Sequence, residues 1–72
     1  MNKKEKLAQV LIDEFNRLKE NPNFDKLAKE EDYTLAIEYL NTGEYPRYYN
    51  DFDLLYACIE DFEQMCNDYD IN

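Results

Sequence analysis

Between Asn50 and Tyr69 the apolar residues of this chain recur at intervals of three and four, the spacing of one helix face. Wound at about 3.6 residues per turn, the stretch gathers Phe52, Leu54, Leu55, Cys58, Ile59, Phe62, Met65, Cys66 and Tyr69 on one half of the circumference. Asp53, Glu60, Asp61, Gln64, Asn67 and Asp68 fall on the other half, and no basic residue occurs in it. A segment of this kind must bury its apolar side against other elements. With one Gly and two Pro in 72 residues there is little material for hairpins, so the partners are expected to be helices. The expectation is one all-α domain over residues 1–72, a small bundle of three or four antiparallel helices in which the last packs against the first.

Upstream, Leu7, Val10, Leu11, Phe15 and Leu18 repeat in the same way and predict a first helix over 3–20, with Ala8 and Ile12 flanking the stripe. Asn21-Pro22 should end it and start a short second helix, with Asn21 as N-cap, that turns Phe24, Leu27 and Ala28 inward and ends near Glu30. Asp32 would cap a third helix from Tyr33 to about Asn41, burying some combination of Leu35, Ala36, Tyr39 and Leu40. Glu30-Glu31-Asp32 would then stand at its positive end, and Gly43 would supply the left-handed residue that closes it. One continuous helix over the second and third segments is the alternative. Pro46 keeps Tyr45 extended, Asn50 or Asp51 caps the last helix, and Asp70-Ile71-Asn72 is expected to fray.

Charge separates the two halves. Residues 1–29 hold seven bases against five acids, whereas residues 30–72 hold twelve acids against Arg47 alone, within a net charge of −9. Direct binding to nucleic acid or to an anionic membrane is disfavoured, and a basic partner is favoured. Lys3, Lys4 and Lys6 open the chain, but Asp13 and Glu14 interrupt it before a signal-length apolar run develops. No stretch approaches the ~20 apolar residues of a membrane span. Cys58 and Cys66 would lie about 12 Å apart by helical rise, beyond the ~7 Å that a disulfide allows. They are expected reduced and buried in a cytoplasmic protein.

Catalysis has little to stand on, because the chain has no His, Ser or Trp and its only hydroxyls outside the tyrosines are Thr34 and Thr42. No enzyme activity, metal or cofactor is expected. An EF-hand beginning at Asp51 fails at its fifth and sixth positions, Leu55 and Tyr56. Zinc through the two cysteines would lack two further soft ligands.

What remains is the acidic face. Such a face is ordinarily just solvated, since two exposed carboxylates about 6 Å apart repel by only ~0.7 kcal/mol in water. Twelve acids against one base go further than solubility requires, because interspersed lysines would have served as well. Tyr45, Tyr48 and Tyr49 crowd one loop, and Tyr56 falls between Asp53 and Glu60 on the outer half of the last helix. For Tyr45 and Tyr48, packing onto the end of the bundle competes with exposure. Tyr49 and Tyr56 are expected outside, where tyrosine offers a rigid face with a polar tip.

In size, charge and the acid-aromatic run from Glu44 to Asp70, the chain resembles the small acidic DNA-mimic proteins with which phages block restriction enzymes and CRISPR effectors. The resemblance implies a non-enzymatic inhibitor that occupies the basic DNA-binding site of a nuclease effector. Glu44, Asp51, Asp53, Glu60, Asp61, Glu63 and Asp68 would face that site, with Tyr48, Tyr49 and Tyr56 as anchors. The alternative is a helical assembly or regulatory module. In it the Tyr-rich loop or the Leu7–Leu18 helix pairs with itself or with a partner helix, and the acids only maintain solubility. Either reading is compatible with a homodimer.

Overall fold

The computed structural model describes residues 2–44 and 53–72, except for the side chains of Lys26, Leu27 and Ala28. It consists of four helices and no strand among those residues: α1 (Lys3–Leu18), α2 (Lys26–Thr42), α3 (Asp53–Glu60) and α4 (Phe62–Asp68). The all-α expectation is met. The Cα radius of gyration of 11.9 Å is close to the ~11 Å expected of a compact domain of this length.

Helix α1 forms where the periodicity places it. Asn2 caps it by accepting a 2.8 Å hydrogen bond from the Glu5 amide, which satisfies one of the orphan donors of the first turn. Its inner stripe is Leu7, Ala8, Leu11 and Phe15, all buried, while Val10, Ile12 and Leu18 are half-buried. Leu7 and Leu11 are fully enclosed, and each stabilises the fold by about 1.5–3 kcal/mol. The helix ends at Leu18, two residues before the expected end.

Asn21-Pro22 does stop α1, but it does not start the next helix. The Phe24 amide donates to the Asn21 carbonyl at 3.0 Å, so residues 21–24 close a β-turn with Pro22 at the position that its fixed φ favours. Asp25, not Asn21, precedes α2 as its N-cap, without a side-chain capping bond. The expected break near Glu31 does not occur, and α2 is the single continuous helix of the alternative. Glu30, Glu31 and Asp32 therefore lie inside it, away from its N-terminal dipole. Gly43, at φ 74°, donates its amide to the Tyr39 carbonyl at 2.7 Å and closes the helix in the left-handed conformation.

α2 packs against both α1 and α3. Phe15, late in α1, lies 5.3 Å from the ring of Tyr33 early in α2, and Lys4, early in α1, sits 5.8 Å over the ring of Tyr39 late in α2. The two helices therefore run antiparallel. Tyr33, Ala36 and Leu40 are buried and Leu35, Ile37 and Tyr39 half-buried, while Glu30, Glu31, Thr34, Glu38 and Asn41 form the solvated side.

The last segment departs from expectation. The helix breaks at Asp61, whose backbone stands at φ −115°, ψ 31°. The break turns Asp61 and Glu63 from mid-helix residues into the N-cap and first turn of α4, where negative charge meets the positive end of the helix dipole. Cys58 and Cys66 thus stand on different helices, and a spacing reckoned along one continuous helix does not apply. Both are free and buried, and Cys58 Sγ lies 3.8 Å from Met65 Sδ.

The chain end does not fray. Asp70 adopts φ 57°, the Ile71 amide donates to the Cys66 carbonyl at 2.8 Å, and the Asp70 amide donates to Asn67 at 3.1 Å. This pair of bonds is a Schellman closure with Asp in the place usually held by Gly, and Ile71 is buried beside Cys66 in the core. The Tyr69 hydroxyl donates to Glu14 at 2.7 Å, and Lys6 Nζ donates to the Asn72 carbonyl at 3.0 Å. The terminal segment therefore meets α1 through side-chain ties and the shared core, whereas α3 packs on α2 and not, as expected of the last helix, on the first.

Candidate functional site

On α3 the buried residues are Leu55 and Cys58, and Asp53, Tyr56 and Glu60 are exposed. At ~100° per residue these three fall within about 60° of one another, opposite the buried pair. Tyr56 is 46 % exposed, the large apolar residue most open to solvent among those described. Acid, ring and acid thus share one outward stripe, in the arrangement expected from spacing.

The break at Asp61 gives α4 a different outer face. Asp61, Gln64 and Asp68 follow one another at i, i+3 and i+7 on one flank of buried Met65, while Glu63 lies on the opposite flank beside Cys66. The first set lines a groove of about 350 Å³ together with Ala57, Met65 and Tyr69. Gln64 Nε2 donates to Asp68 Oδ1 at 3.0 Å, which fixes the amide along the rim. Asp61 is the N-cap of α4 yet makes no side-chain capping bond, so its carboxylate is not committed to the helix.

Glu63 is turned toward α1, where Lys3 Nζ approaches its carboxylate at 3.1 Å. The pair is solvent-exposed and contributes at most about 1 kcal/mol. Glu44 is exposed just past the end of α2. The structure therefore brings Asp53, Tyr56 and Glu60 onto one stripe, and Asp61 and Asp68 onto one groove. Glu63 belongs to neither set. Tyr45, Tyr48, Tyr49, Asp51 and the expected cap at Asn50 or Asp51 lie outside the described residues, as do Phe52 and the inward placement of Leu27 and Ala28.

Two partly buried polar arrangements carry no sequence signal of their own. Burial raises the pKa of Asp32, although the amides of Leu55 and Leu54 in the first turn of α3 act to lower it. Those amides attract the carboxylate, but Oδ1 is fully enclosed and accepts no hydrogen bond from a described residue, so burial prevails. Asp32 does not cap its own helix; its charge faces the start of another. The second arrangement centres on Glu14, which receives the Tyr69 hydroxyl and lies close to Tyr33. Burial pushes Tyr33 up to about 12, with the Glu14 charge adding to it. Tyr69 is raised by burial and then by its bond to Glu14. The thiol of Cys58 is pushed up to about 12, first by burial and then by the Asp32 charge, and burial likewise raises Cys66. Neither is poised as a nucleophile.

Among the described residues no group of three His, Cys, Asp or Glu side chains is placed to hold a metal ion. No described helix is long and apolar enough to cross a membrane. No protein family, curated protein or solved structure matches the chain.

Proposed function

We propose that this protein is a non-enzymatic, cytoplasmic inhibitor that binds the basic site of a nucleic-acid-binding protein, such as a CRISPR effector or a restriction-type nuclease, as a DNA mimic. The observation that carries this reading is the outward stripe of α3. Asp53, Tyr56 and Glu60 are exposed together, and neither carboxylate forms an ion pair with a described residue. Repeated anions interleaved with an aromatic face are what a groove built for nucleic acid accepts. Asp61 and Asp68 extend the negative surface onto α4, and Glu44 adds charge beyond the end of α2. Tyr48, Tyr49 and Asp51 are assigned to the same surface from their positions in the sequence. Glu63 contributes chiefly to holding α4 against α1.

The test is capture of a nuclease or other DNA-handling protein on the immobilised chain, eluted with a salt gradient. Binding should weaken steeply as salt rises, and replacing Asp53, Glu60 and Asp61 together by Lys should abolish it. Capture indifferent to both changes overturns the proposal. A tight, salt-insensitive self-association that survives the triple replacement would favour a helical assembly module instead.

A further inference from the structure

The groove between α3 and α4 is mixed in character. Its floor is apolar, formed by Ala57, Met65 and Tyr69, and its rim carries Asp61, Gln64 and Asp68. Met65 is buried, and the ring of Tyr69 is held in place by the bond from its hydroxyl to Glu14. At about 350 Å³ the groove lies at the low end of the ~300–1,000 Å³ typical of ligand pockets, a size suited to one long side chain. Asp61 and Asp68 are two turns apart, about 10 Å of helical rise, and no third His, Cys, Asp or Glu among the described residues joins them in a metal site.

We propose that this groove receives an arginine side chain projecting from the partner. The inference rests on the partner being basic, and it adds which side chain enters where. Charge complementarity selects a cation, and the apolar floor selects one with a long aliphatic stem. The guanidinium is more weakly hydrated than an ammonium and stacks on aromatic faces, which suits the Tyr69 ring. Its fork pairs with Asp61, whose carboxylate is not used in capping α4. Asp68, already accepting from Gln64, closes the far end with a second negative charge.

The test uses a blocked Gly-Arg-Gly peptide titrated into the full chain and followed by amide chemical shifts. Shifts should concentrate at Ala57, Asp61, Gln64, Met65, Asp68 and Tyr69, and the citrulline analogue, equal in shape and uncharged, should produce none. Asp61→Asn should weaken the response roughly two- to fivefold, while Glu31→Gln, at an exposed position of α2, leaves it unchanged. Asn caps a helix as well as Asp does, so α4 is retained, and Asp68→Asn serves as the second variant. Shifts spread equally over every acid, a lysine peptide that binds as well as the arginine one, or no response at millimolar peptide each overturn the proposal. If the peptide fails while the triple Lys replacement still abolishes capture of a target, the inhibitor reading stands and this one falls.

Discussion

Helix α1 and the α3–α4 arm bury similar side chains but are held in different ways. α1 is 16 residues long, is capped by its own Asn2 and carries Arg17 in its last turn, beside the negative pole of its dipole. The arm is two helices of 8 and 7 residues with no basic residue in either last turn, below the length at which an isolated helix persists in water. Its ties are tertiary: Tyr69 to Glu14, Lys3 to Glu63, Lys6 to the Asn72 carbonyl, and Met65, Cys66 and Ile71 in the shared core. The arm thus depends on α2, against which α3 packs, and on these ties to α1. A charged surface can be presented on short helices when longer helices support them.

The largest test of that dependence is Leu11→Ala. A cavity at this fully buried site should cost about 3–4 kcal/mol, a large share of the stability available to so small a core. If the arm depends on α1, circular dichroism and arm-specific amide signals should be lost in one transition. Survival of the arm after α1 melts would break the comparison.

The seam between α1 and α2, on which the arm rests, is also sensitive to alkali. Tyr33 titrates near 10 when unfolded and is pushed up to about 12 in the fold. A raised folded pKa means the unfolded state ionises first, so this stability is complete below pH 10 and is lost between pH 10 and about 12. Discounted for solvent screening, the loss amounts to about 1–2 kcal/mol. Urea midpoints compared at pH 8 and pH 11.5 should show it, and Tyr33→Phe should remove Tyr33's share of the fall. An unchanged pH slope in that variant would mean the tyrosine is not buried against Glu14.

Tyr69→Phe isolates one tie. Losing a hydrogen bond to a carboxylate should cost about 1.5–3 kcal/mol, and a double-mutant cycle with Glu14→Gln should return a coupling above ~0.5 kcal/mol. Additive effects would place the arm's support elsewhere. The smallest effect, of opposite sign, belongs to Asp70→Gly. Relieving a left-handed Asp at φ 57° should stabilise the protein by about 1 kcal/mol, read as a higher urea midpoint. Destabilisation would mean that the Asp70 side chain itself matters to the closure.

Several features were legible in the residues alone. The Leu7, Leu11 and Phe15 repeat placed α1, and Gly43 marked the end of α2, because both signals act within a few residues. Asp53, Tyr56 and Glu60 fell on the exposed side of α3 for the same reason, since helical angle alone sorts them. The break at Asp61 was not legible, because acid and apolar residues continue through it in the same period. Nor was the Schellman closure, which uses Asp where Gly is the recognisable signal. Glu30-Glu31-Asp32 looked like a helix start, and only the continuity of α2 shows that it is not one.

The linear chain, then, established the helical class, the inward stripes and the accumulation of acids after Glu30. Periodicity and composition are local quantities that survive without a fold. The packed molecule decided that Asp32 faces the first turn of α3, that Glu14 gathers Tyr33 and Tyr69, and that Glu63 turns toward Lys3 while Asp61 and Asp68 line a groove. Those placements depend on how helices meet across 19 to 60 positions of sequence, where side-chain contact is set by three-dimensional packing and no spacing rule reaches.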